Sequence, residues 1–317
     1  MSRNFGGGFR RACVPLALML GTLLNLACEL EEVSLTEPEN VLVAEVYVKA
    51  GDGADEVSAF LQWSLGGSQV ASLGDATINL AGPRGIRLTL VPGPREVCLD
   101  QAILDDVAGA CFLAPNLADG LLRAGDHLEV EVSLPSGEEL EGGVTLPGGF
   151  DLRQPGDDLC TLPPGVPLEL IWSPAEGAWA YTGETLILGL RDALKAQGIQ
   201  AEEDSLNLVG LSIAETDTTL VFPREFGIFD RFDLDRDVAL ALQKGLPQGA
   251  SAEVVVAALD RNYVNWIRGG NFNPSGAVRV PSLRGDGIGV LGGIFRRSVR
   301  VVGTVSDPAI PPCLPGS

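Results

Sequence analysis

Apolar and polar residues alternate with a period of two through most of the chain. Leu42, Ala44, Val46 and Val48 form one such series, and Ala59, Leu61, Trp63 and Leu65 follow the loop Gly51-Asp52-Gly53. Further series are Ala76, Ile78 and Leu80, then Ile86, Leu88 and Leu90. Leu128, Val130, Val132 and Leu134 form a later one, with Glu129, Glu131 and Ser133 on the opposite face. Successive strand residues point to opposite faces, so each series predicts a half-buried strand. Gly, Pro and Asp turns between short strands predict an antiparallel, immunoglobulin-like sandwich over residues 41–150. The stretch from Asp105 to Ala124 lacks the pattern and reads as a loop or irregular edge.

A Pro-, Gly- and Asp-rich stretch then predicts a linker over 151–167, and a second β-rich domain over 168–317. Strands are expected at Leu168–Trp172, 206–213, 218–222, 253–259 and 298–305. Over 184–197, Leu186, Leu190, Ala193 and Leu194 have helical spacing, with Gly198 as C-cap. Asp260 is a good N-cap for a short helix through Trp266, stopped by Gly269-Gly270. The expected fold class is therefore mainly β, all-β to α+β, with one or two short helices in the second domain.

The first 28 residues break the alternation. Arg3, Arg10 and Arg11 precede an apolar run from Val14 to Ala27, and Cys28 follows directly. A basic segment, an apolar segment, a small residue and a cysteine are the layout of a bacterial lipoprotein signal. A spanning helix needs roughly 20 apolar residues, so this shorter run suits cleavage better than an uncleaved anchor. Residues 1–27 are then a signal peptide and Cys28 an acylated N-terminus, with plain secretion as the alternative. Asn25 and Leu26 depart from the residues usual before such a cysteine. Residues 28–40, Glu-rich with Pro38, read as a tether. The expected location is the cell envelope, as an outer-membrane lipoprotein.

Charge narrows the partners. The chain has 22 basic and 42 acidic residues, a net charge of −20. Such a surface repels nucleic acid and anionic headgroups, so nucleic acid is excluded as a partner. Cys13 falls in the signal, which leaves Cys98, Cys111, Cys160 and Cys313 beside Cys28. An even number in an exported chain predicts disulfides. Of the three pairings, Cys98–Cys111 with Cys160–Cys313 is favoured, because the first closes a short loop between neighbouring strands. No C-x-x-C occurs and His127 is the single histidine, so a zinc site is not expected.

Chemical motifs are few. Gly287-x-Gly289-x-x-Gly292 spells a dinucleotide fingerprint, but that mechanism needs a strand before it and a helix after it. The flanks here read as turn, then strand, where glycines permit close approach. Asp233, Asp235 and Asp237 are a weak calcium candidate. Counted from Asp233, the positions where an EF-hand needs Gly and Glu hold Val238 and Lys244, so a solvated strand face competes. No other cofactor is expected. His127 would have to serve any Ser-His-Asp relay, yet alternation places it outward beside Glu129 and Glu131. Trp266, Tyr263, Phe272 and Trp179 suit core packing better than an aromatic binding patch. The best binding guess is the loop 268–276, with Arg268, Asn271, Phe272 and Asn273 following Trp266.

A resemblance enters at Asn262-Tyr263-Val264-Asn265-Trp266, then Asn271-Phe272-Asn273-Pro274, then the glycine-rich run Gly287 to Phe295. In this order they resemble the C-terminal end of a family of exported bacterial lipoproteins of unknown function. Val43–Val48 and the Gly125-x-x-Leu128-x-Val130 strand fit its first domain, although an aromatic more often stands at the position of Leu128. The genes of that family often accompany TonB-dependent receptors. The resemblance implies a non-enzymatic binding or accessory role at an outer-membrane transporter. A structural or adhesion protein is the runner-up, and a hydrolase ranks third.

Overall fold

The alternating runs do form strands. The computed structural model describes residues 40–65, 73–99, 107–212, 215–227, 236–268, 280–304 and 307–314. In the first half β1 (Leu42–Gly51) and β2 (Glu56–Trp63) make a hairpin. Then come β3 (Thr77–Ala81), β4 (Arg87–Thr89), β5 (Val91–Gly93), a one-turn helix α1 (Arg95–Cys98) and β6 (Ala110–Leu113). A second hairpin pairs β7 (His127–Ser133) with β8 (Glu139–Thr145).

The second half carries β9 (Leu152–Gln154), β10 (Leu159–Leu162), β11 (Leu168–Trp172) and β12 (Ala180–Leu188). Next are α2 (Leu190–Lys195), β13 (Ser205–Ser212), β14 (Thr219–Phe222) and β15 (Phe226–Gly227). The chain continues through α3 (Arg236–Lys244), β16 (Ser251–Leu259), α4 (Arg261–Arg268), β17 (Leu283–Gly285) and the long β18 (Gly287–Gly303). The molecule is mainly β, with one large mixed sheet and a small sheet of β14, β11 and β9.

Among the described residues two large apolar cores result, with two smaller clusters under α4. Inward residues of β1, β2 and β6 and of β3, β7 and β8 enclose the first, including Val46, Leu61, Phe112, Ile78 and Val130. The second lies between β12, β13, β16 and β18 on one side and β11, β14, α2 and α3 on the other, around Trp172 and Tyr181. Phe295 of β18 packs against both.

β18 corrects the division into separate domains. Its first part runs parallel to β1, from Leu42↔Gly287 to Gly51↔Arg296. Its second part pairs antiparallel with β16 and parallel with β10. The first half is thus a sandwich, but not an antiparallel one closed on itself. One strand from the far end of the chain completes it, and residues 40–317 form one compact unit. Local periodicity carries no information about which distant strand fills an edge.

The glycines of β18 explain the dinucleotide-like spelling. A Cβ on Gly287 would stand 2.3 Å from Leu42 O, and one on Gly289 would stand 2.0 Å from Ala44 O. The run is a strand needing bare backbone, and β18 continues through Gly303 where the fingerprint would need a helix to begin.

Three other expectations change. The linker 151–167 contains β9 and β10, and Cys160, Thr161 and Leu162 are buried there. The helix expected over 184–197 is only α2, and Leu186 lies on β12. Period two also fits that stretch, because Tyr181, Thr185 and Ile187 point inward. Gly189, at φ 75°, makes the switch to helix. Within 105–124, β6 pairs with β2. The cysteines join as Cys98–Cys111 and Cys160–Cys313, the pairing favoured from sequence.

Candidate functional site

The end of β16 builds the centre of the site. Asp260 follows it and caps α4: Oδ2 accepts the Asn262 N–H at 2.8 Å, and Oδ1 accepts the Tyr263 N–H at 3.0 Å. Oδ1 also accepts the Gly293 N–H at 2.9 Å, which ties the helix start to β18. Burial raises the Asp260 carboxyl above its ordinary value, against the lowering effect of these three donors. The Asn262 amide donates to Gly143 O and Leu291 O, so α4 is pinned to β8 and β18 together.

Beside this junction lies a cleft of about 520 Å³. Its floor is the end of β8 with Gly148, and its walls are His127, the Glu176-Gly177 turn, and Asp260 to Asn262. His127 sits over Gly143, and its Nδ1 is 3.0 Å from Thr145 Oγ1. Gly148 donates its N–H to Glu176 O at 2.7 Å, which brings the turn against β8. The Arg261 guanidinium lies 4.9 Å above the Trp179 ring, at the rim of the cleft.

This arrangement suits binding by polar contacts around a glycine-lined floor. A nucleophilic relay would need a carboxylate orienting the histidine ring. Among the described residues His127 has no hydrogen bond to a carboxylate, and the acceptors of Asp260 are taken up by backbone donors. Among the described residues no group of three His, Cys, Asp or Glu side chains could hold a metal ion.

Of the residues singled out from sequence, His127 is exposed on the outward face of β7, as alternation places it. Trp266 is 3 % exposed, packs on Val43 and Val290, and donates its indole N–H to Glu45 Oε1 at 3.2 Å. It belongs to packing and leaves the binding set, because the apolar face of α4 must cover the sheet. Tyr263 stacks edge-on to Tyr47 with ring centroids 5.2 Å apart, and burial pushes its hydroxyl up to about 12, with Glu184 and Glu45 adding to the shift. Arg268 is exposed at the end of α4. Asn271, Phe272 and Asn273 lie outside the described residues, as do Cys28, Asp233 and Asp235. Asp237 stands in the first turn of α3, on a helix and not on a strand.

Sequence reasoning missed Glu176, Arg261 and Asn262 as neighbours of His127. The available signal was indirect: Asp260 was legible as an N-cap, but not its meeting with the Glu176-Gly177 turn at β8. No protein-family model matches the chain, and no curated protein matches it.

The disulfides suggest an extracellular or periplasmic protein, since such bonds persist in oxidising compartments. Among the described residues no helix is long and apolar enough to cross a membrane.

Proposed function

We propose that this chain is a lipid-anchored protein of the bacterial cell envelope that acts as a non-enzymatic binding or accessory module at an outer-membrane transporter. The observation that carries the reading is the division of labour among the cysteines. Cys28 stands directly after a basic-then-apolar leader, while the other cysteines of the chain beyond that leader are paired within the body. Acyl chains on Cys28 would hold the protein at a membrane, since two or more chains anchor firmly where one does not. Residues 28–40 would serve as the tether. The resemblance to exported lipoproteins encoded beside TonB-dependent receptors supports a receptor of that kind as the partner. The cleft beside His127 and Arg261 is the ligand-facing surface in this reading.

The test is crosslinking and pull-down of the full-length protein from detergent-solubilised envelopes of its host, with Cys28→Ser as the unanchored control. Enrichment of one outer-membrane receptor by the anchored form alone is the expected result. Equal recovery from both forms, or no receptor at all, would remove the transporter role.

A further inference from the structure

The backbone of β8 turns its polar groups to alternate edges. Leu146 donates its N–H to Asp126 O at 2.9 Å, and its carbonyl accepts the Gly125 N–H, so Leu146 bonds toward β7. Bonded and non-bonded positions alternate along an antiparallel pair. The register with β7 therefore turns the N–H and C=O of Glu139, Glu141, Gly143 and Thr145 to the opposite edge. The first three meet partners there. Glu139 exchanges hydrogen bonds with Asp286, Glu141 pairs with Arg284 of β17, and Gly143 O accepts the Asn262 amide. Thr145 comes next, and among the described residues its backbone N–H and C=O have no partner on this edge. Its side chain alone is bonded, to His127.

This open edge lies in the cleft, which Thr145 lines. Asn262 closes one end, its amide spanning the gap from Gly143 O to Leu291 O. The other end is closed by Pro147, which has no N–H, and by Gly148, whose N–H goes to Glu176 O. What stays open is one donor and one acceptor at strand spacing. The group that matches both is the main chain of another extended segment. Closed ends leave room for a short stretch, which suits a chain terminus.

Charge says which terminus. The chain has 42 acidic residues against 22 basic ones, yet among the described residues Arg261 makes no ion pair. Its guanidinium rests on the Trp179 ring and keeps its N–H donors. A planar fork of donors suits a carboxylate. Glu176 lines a separate wall and disfavours a carboxylate beside it, which directs that group to Arg261.

We infer that the cleft binds the C-terminal end of an extended peptide. Its main chain exchanges hydrogen bonds with the Thr145 N–H and C=O as an added strand, and its terminal carboxylate meets the Arg261 guanidinium. This rests on the reading of the cleft as the ligand-facing surface, and it does not depend on the transporter.

NMR titration of the full-length protein carrying Cys28→Ser tests this. The probe is a pool of random tetrapeptides with free carboxylates, since main-chain recognition tolerates many sequences. The same pool with amidated C-termini is the comparison. His127 is the single histidine, so its ring signals report the cleft, and the Thr145 amide reports the edge. Both should shift with the free-carboxylate pool. Amidation should weaken binding more than about tenfold, and should make little difference in Arg261→Gln. Thr145→Pro removes the N–H at a position that bonds no neighbouring strand, so the ladder to β7 is kept. It should weaken binding by a similar factor, read from His127, and Thr145→Val, which returns the N–H, should recover it. Circular dichroism confirms that each variant is folded. No shift at either reporter overturns the inference. So does a pool indifferent to amidation, or a folded Thr145→Pro that binds as wild type. Each of these results leaves the receptor pull-down free to succeed, so failure here is distinct from failure of the transporter role.

Discussion

Asp260 Oδ1 accepts the backbone N–H of Gly293 at 2.9 Å, and this one contact joins the start of α4 to the middle of β18. β18 is the strand both cores share, so the cap of a short helix also fixes the wall of the His127 cleft. Asp260→Ala removes the cap and leaves the buried Gly293 N–H unpaired. The expected cost is about 2 to 3 kcal/mol, read from urea unfolding.

The same carboxyl makes a pH prediction. Its folded value is raised by burial, so the native state holds its proton more tightly than the unfolded chain. The associated stability is fully present below the ordinary carboxylate value and is lost as pH rises through the raised one. The stability advantage of wild type over Asp260→Asn should therefore shrink as pH rises through that window. An advantage that grows over the same range contradicts the assignment.

Arg84 and Asp126 behave in the opposite sense. The guanidinium meets the carboxylate through two hydrogen bonds of 2.7 and 2.6 Å and holds Asp126 below its ordinary value. That contribution is present above the unfolded carboxylate value and is lost as pH falls through the lowered one. Arg84→Met should lower the melting temperature near neutral pH and lower it less in acid. Thermal scans across that range give the check.

The two disulfides should differ in worth. Cys98–Cys111 spans 13 residues, whereas Cys160–Cys313 spans 153. By loop-closure entropy the short bridge contributes about 3 kcal/mol and the long one about 5 kcal/mol. Unfolding of Cys98→Ala/Cys111→Ala and of Cys160→Ala/Cys313→Ala double variants should rank in that order.

Gly289→Ala should destabilise the fold by about 3 kcal/mol, because the new methyl meets Ala44 O. Gly156→Ala, with open space around it, is the control and should change little. Equal melting curves for the two variants would contradict the packing role of the β18 glycines.

Much of this was legible in the sequence. Alternation placed β1, β2, β3 and β7, since the side chains themselves encode which face is buried. Asp260 announced α4, because capping is a local interaction. The parallel partnership of β1 with β18 was not legible: residues some 240 positions apart choose each other through global packing. Leu186 misled for a related reason. It is apolar yet exposed, and only the finished sheet shows that its face is open. The cleft was hidden because His127, Glu176 and Arg261 converge through three different elements.

Intact mass spectrometry of the full-length protein purified from its own host is the sharpest test of an anchor at Cys28. The expected species is a mature chain that begins at Cys28 and carries added acyl mass, which disappears in Cys28→Ser. A chain that retains residues 1–27, or one that begins at Cys28 with no added mass, would contradict it.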